Sequence, residues 1–148
     1  MKKILSLGLI ISLIILSCSQ QKSRFPQGAW KLVYSQGTET DSLGNVKAID
    51  YHPTSVQIWS EKNFAFIGQW KQDTVIRDFY GGGTYTLNGN HCEAKVMYHW
   101  SQPRTVLDWT LKLLLEQRND TMIFTYPLND NWEIDKKNYY VEKYIQLK

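Results

Sequence analysis

The chain has 148 residues, enough for one domain, and a formal net charge of +3. Two of its positive charges, Lys2 and Lys3, sit at the extreme N-terminus. The remainder is close to neutral, with no basic run of the kind that binds nucleic acid. Six Trp and nine Tyr suit strands and apolar cavities, and two cysteines are too few for a disulfide framework or a cysteine zinc site.

Met1-Lys2-Lys3 forms a positive n-region, and Ile4 to Leu16 is an apolar stretch too short for a membrane span. It ends in Ile15-Leu16-Ser17-Cys18, which resembles a bacterial lipobox. The expected organisation is a lipoprotein signal peptide over 1–17, a lipidated Cys18 with a polar tether over 18–24, and a folded domain over 25–148. A diacylglyceryl group on the Cys18 thiol plus a further acyl chain gives firm anchoring, whereas one chain holds weakly. Ser19 rather than Asp after the lipidated cysteine points to the outer membrane. The lack of acidic residues directly after Cys18 points to its periplasmic face. With Cys18 acylated, Cys92 has no intramolecular partner.

Beyond the tether, strand-like segments recur between turn residues. Ala29–Ser35 alternates Trp30, Leu32 and Tyr34 with Lys31 and Val33. Gln36–Val46 is rich in Gly, Thr, Asp and Asn and reads as a loop. Thr54–Ser60 is a second strand, Glu61-Lys62-Asn63 a turn, and Phe64, Phe66, Gly68 and Trp70 share one face of a third strand. Lys71–Asp78 reads as a loop or strand end, and Gly81-Gly82-Gly83 as a flexible or bulged beginning to Thr84–Leu87. Asn88-Gly89-Asn90 is a hairpin signal whose turn residues tolerate positive φ. Cys92, Ala94, Val96, Tyr98 and Trp100 alternate next, followed by Leu107, Trp109, Leu111, Leu113 and Leu115. Leu107, Leu111, Leu114 and Leu115 would also line a helix face, but five consecutive period-2 matches favour a strand. Arg118-Asn119-Asp120 leads to Met122, Phe124 and Tyr126. Pro127–Asn138 reads as a longer connection with one helical turn around Trp132, and Tyr139–Leu147 as a closing strand. About eight strands joined mostly by short turns fit an all-β, antiparallel up-and-down barrel.

Gly28-Ala29-Trp30-Lys31-Leu32 resembles the G-x-W start of lipocalins. Val56-Gln57-Ile58-Trp59, Asn63-Phe64-Ala65-Phe66, the run from Gly81 to Leu87 and the closing Val141–Lys148 resemble lipocalin-like lipoproteins of Bacteroides-type bacteria. The resemblance spans the chain beyond the tether. It implies an eight-stranded calyx in a family whose molecular function is largely unassigned. Two departures stand out. The family's strand after the glycine motif carries Tyr-x-Glu, where this chain has Cys92-Glu93-Ala94. Lipocalins also lay an arginine of the last strand over the first-strand Trp, and here only Lys143 or Lys148 could take that place, with Trp30 as a structural floor.

No nucleophile elbow, zinc-protease or phosphate-loop motif occurs, so an enzyme has no residue-level support, and no cofactor is implied. His91, Glu93 and His99 share a strand face by parity. Yet His91 and His99 lie roughly 26 Å apart along a strand, too far to ligate one metal, and His52 sits before Pro53 in a loop. Asp108 and Glu116 fall on an outward, solvated face, and Cys92 reads as a small buried hydrophobe. The candidate ligand contacts are the inward aromatics Phe64, Phe66, Trp70, Tyr85, Tyr98, Trp109, Phe124 and Tyr126. Such rings either line a pocket or fill the barrel, and eight strands permit both. The first expectation is a membrane-anchored, non-enzymatic binder of a small apolar or amphiphilic ligand. The alternative is an envelope protein-interaction module, an inhibitor or docking lipoprotein with a filled barrel, using loops Gln36–Ala48 and Pro127–Asn138.

Overall fold

Alternation of apolar and polar residues, broken by Gly, Asn and Asp pairs, organises the described residues into nine strands. The computed structural model describes residues 26–49, 53–72, 74–102 and 107–148. The segments read as signal peptide and tether, with Cys18, and His52 lie outside the described residues. The strands are β1 (Gly28–Thr40), β2 (Val46–Ile49), β3 (Thr54–Trp59), β4 (Asn63–Gln72), β5 (Val75–Asn88), β6 (His91–His99), β7 (Trp109–Arg118), β8 (Thr121–Tyr126) and β9 (Tyr139–Gln146). Neighbours pair antiparallel, and β1 also pairs with β9. The result is a closed, lipocalin-like barrel of eight strands, β1 and β3–β9. The ninth, β2, lies along the far half of β1. No helix occurs among the described residues. Closure satisfies the backbone of strands that would otherwise be free edges.

Several predicted loops are strand. β1 continues to Thr40, so only Asp41–Asn45 turns, with the Asp41 carboxylate accepting from the Leu43 and Asn45 N–H groups at 2.9 Å each. Lys71–Asp78 is a tight hairpin of β4 and β5, and the three glycines lie inside β5 rather than at its beginning. These stretches looked like loops because their side chains stand at the barrel rim in water, where polar residues carry no packing penalty. The Asn88–His91 hairpin turns through Gly89 and Asn90, with positive φ at Gly89 alone. No helical turn forms around Trp132. Instead Leu128 bridges Ile134, and the Asn129 side chain accepts from the N–H groups of Asn131 and Glu133 at 2.9 Å. Residues 109–118 are strand, as period 2 indicated.

Two irregularities redirect side chains. In β1 the pairing with β9 shifts between Leu32 and Tyr34, so Tyr34 does not share the inward face of Trp30 and Leu32, and Ser35 turns inward instead. The second lies in β6. Gly82 pairs with Tyr98 and Gly83 with Val96, leaving Met97 as an extra residue in β6. Inserting one residue reverses the alternation beyond it. Cys92, Ala94 and Val96 point inward below the bulge. Above it His99 takes the inward position, while Tyr98 is 56% exposed on the outer wall.

Candidate ligand cavity

The two halves of the barrel interior are filled differently. At the end where β1 begins, Trp30, Cys92, Met122 and Tyr144 are almost wholly buried, with Leu32, Leu113 and Leu115 around them. The Trp30 indole N–H donates to the Pro26 carbonyl at 2.9 Å, and Pro26 is itself fully buried beneath it. Above this floor lies a shelf of rings. Trp59 meets Tyr85 edge-on at 4.7 Å and Phe64 at 5.3 Å, and Phe124 lies 5.5 Å away.

Over the shelf the interior is hollow. A partly open cavity of about 230 Å³ is bounded by Trp59, Phe64 and Phe124 below and by Phe66, Phe79, His99, Trp100, Trp109 and Tyr126 around its sides. Among the described residues its wall holds no lysine or arginine. Two glycines help make the space. A Cβ on Gly68 would lie 2.4 Å from the Phe79 ring, and one on Gly81 would lie 2.4 Å from the Phe66 ring. Both rings therefore lie flat against bare backbone instead of crossing the lumen. His99 is held by Ser101 Oγ at 2.7 Å, and its partial burial lowers its pKa, favouring the neutral imidazole.

One wall is polar. The Trp59 indole N–H donates to Gln57 Oε1 at 2.9 Å, and Gln57 Nε2 donates to the Tyr144 hydroxyl at 2.7 Å. That hydroxyl donates to Glu142 Oε2 at 2.7 Å, and the Tyr126 hydroxyl is a second partner of the carboxylate. Burial raises the pKa of Glu142, and the two hydroxyls pull it partly back. The same burial, followed by the adjacent carboxylate, holds the Tyr126 and Tyr144 hydroxyls well above the ordinary tyrosine range, so both remain donors. Ser35 pairs with Glu142 across β1 and β9, and its buried hydroxyl has no hydrogen-bond partner.

Of the residues anticipated from sequence, Phe64, Phe66, Trp109, Phe124 and Tyr126 line the cavity together. Tyr85 sits below it, its hydroxyl donating to the Ser60 carbonyl at 2.7 Å and its pKa pushed up to about 12 by burial. Trp70 stands behind the rim, stacked on Phe79 at 5.7 Å and edge-on to Trp100 at 5.0 Å. Tyr98 does not belong, because the Met97 bulge turns it outward. Lys143 does not cover Trp30. It faces outward with its ammonium 5.5 Å from the Tyr34 ring, whereas Trp30 faces inward. His91 and His99 do not share a face either. His91 stacks on Trp132 at 4.2 Å on the outer wall, and His99 lines the cavity. Asp108 and Glu116 are exposed and paired with Lys95 and Arg118. Cys92 is fully buried, and burial pushes its thiol up to about 12.

Sequence reasoning missed Ser35, Ser55, Gln57, Glu142 and Tyr144. The signal was present in β9, where Tyr140, Glu142 and Tyr144 share one face by parity, placing a carboxylate in an aromatic row. No family model matches the chain, and no curated protein matches it in sequence.

Proposed function

We propose that the chain is a lipid-anchored, lipocalin-like binder of a small apolar or amphiphilic ligand, acting without catalysis at the periplasmic face of an outer membrane. The observation that carries this reading is the hollow upper half of the barrel. Its rings form an apolar chamber, and a few convergent polar groups on one wall can orient a guest, the usual composition of a ligand site. At about 230 Å³ the chamber suits a small guest. The polypeptide enters β1 at the floor, so a tether held by lipid on Cys18 would leave the mouth facing away from the bilayer. The test is a titration with an apolar fluorescent probe on wild type, Phe66→Ala and Trp109→Ala. Binding should weaken by about 1–3 kcal/mol in each variant, the value of one buried aromatic contact. Wild-type protein that binds no such probe would refute the reading.

A second reading has its own observation. The outer wall of β4–β6 exposes Ile67, Tyr80 and Tyr98, beside a shallow groove of about 450 Å³ over the glycines of β5. Apolar residues clustered on an outer wall suit a protein partner. Loss of partner capture in Tyr80→Ser with probe binding intact would favour this interaction module.

A further inference from the structure

The cavity contains a carboxyl group that no described residue neutralises. Glu142 is buried among Ser35 from β1, Ser55 and Gln57 from β3, Phe124 and Tyr126 from β8, and Tyr140 and Tyr144 from β9. None of these is a cation, and no salt bridge to Glu142 occurs among the described residues. His99, across the cavity, is biased towards its neutral form. A carboxylate has about four acceptor sites, and the two tyrosine hydroxyls occupy only part of that capacity. The Ser35 hydroxyl, its neighbour in the β1–β9 ladder, is a buried polar group lacking a partner. Burying a carboxylate without a cation is costly, and evolution of a filled core would favour an apolar replacement.

We propose that the ligand carries a protonated amine and that Glu142 is its counter-ion, with the ring system taking the apolar remainder. An ammonium group brings three donors and no acceptor, which matches the free acceptor capacity of Glu142 and the idle Ser35 oxygen. The surrounding Tyr and Trp faces add cation–π attraction. A carboxylate-bearing ligand would instead meet Glu142 as a like charge. A neutral alcohol would leave the buried charge uncompensated.

This rests on the reading of the barrel as a ligand binder, and the experiment separates the two. The purified full chain is titrated calorimetrically at pH 7 with 2-phenylethylamine, 2-phenylethanol and 3-phenylpropionate, which share the ring and differ at the polar end. The amine should bind at least about ten-fold more tightly than the alcohol, as a charge-assisted hydrogen bond predicts, and the acid should bind most weakly. Glu142→Gln should abolish the preference for the amine over the alcohol. Equal or tighter binding of the alcohol or the acid by wild type overturns the inference, and that comparison needs no variant to fold. Retention of amine preference by Glu142→Gln overturns it too. If none of the three binds, the binder reading itself falls and this inference with it.

Discussion

The floor and the mouth of this barrel are built from the same alternating strands, yet one is solid and the other hollow. At the floor, side chains of mixed size interlock. Leu32, Leu113, Leu115 and Met122 fill the gaps around Trp30, whose only polar atom is satisfied by the Pro26 carbonyl. At the mouth, large rings are laid against bare glycine backbone and leave the centre unfilled, while Glu142 and its hydroxyl partners occupy one wall. The difference teaches that an inward aromatic is no guide by itself to packing or binding. What the ring lies against decides: other side chains at the floor, main chain at the mouth.

The largest effects should come from the floor. Trp30→Ala empties the space of a fully buried indole and leaves the Pro26 carbonyl without its donor. It should cost about 3–5 kcal/mol in urea denaturation. A loss as small as that of a mouth variant would erase the distinction. Next is Gly83→Ala, where the added Cβ would lie 1.9 Å from the Lys95 carbonyl oxygen. Only movement of main chain relieves that contact, so the β5–β6 ladder must open. A cost of about 1–3 kcal/mol is expected from the same measurement. Phe66→Ala should cost less than half as much stability as Trp30→Ala while weakening probe binding. A collapse in stability without any binding to lose would mean that the mouth is core as well.

Acidity sharpens the contrast further. Burial raises the Glu142 carboxyl above 4.5, so the folded protein retains a proton that the unfolded chain gives up. Stability linked to this group is complete at low pH and is lost as pH climbs from the ordinary glutamate range through the raised folded value. Thermal melts of wild type and Glu142→Gln should therefore diverge with rising pH, wild type falling relative to the variant. Parallel curves would show that the carboxylate is solvated. The smallest effect concerns Cys92. With its thiol buried and pushed up to about 12, a thiol reagent at pH 8 should leave Cys92 unlabelled in native protein and label it in urea. Rapid native labelling would mean that the floor opens.

Much of this division could be read in the sequence. Period-2 alternation identified the barrel, its eight principal strands and half of the rings that line the cavity, because parity assigns a face wherever pairing is regular. The failures have local causes. At Met97 one unpaired residue reversed parity, moving Tyr98 out and bringing His99 in. The facing Gly82-Gly83 pair marked a place where pairing could slip without saying which strand would carry the extra residue. In β1 and β5, polar composition suggested loops where strands rise above the core into water. Glu142 lay on an inward face by parity, but its place in a network with Gln57 and Tyr144 depends on strands far apart in the chain meeting across the lumen.

The most direct test of a solid floor beneath a hollow mouth uses the six tryptophans as reporters. Trp30 marks the floor, Trp59 the shelf, Trp70, Trp100 and Trp109 the rim, and Trp132 the outer wall. Their indole N–H resonances, assigned in a nitrogen-15 spectrum, can be followed as 2-phenylethylamine is added. The account predicts shifts in Trp100, Trp109 and Trp59 that saturate together, with Trp30 and Trp132 unmoved. A titration that leaves all six in place, or moves Trp132 alone, would contradict it.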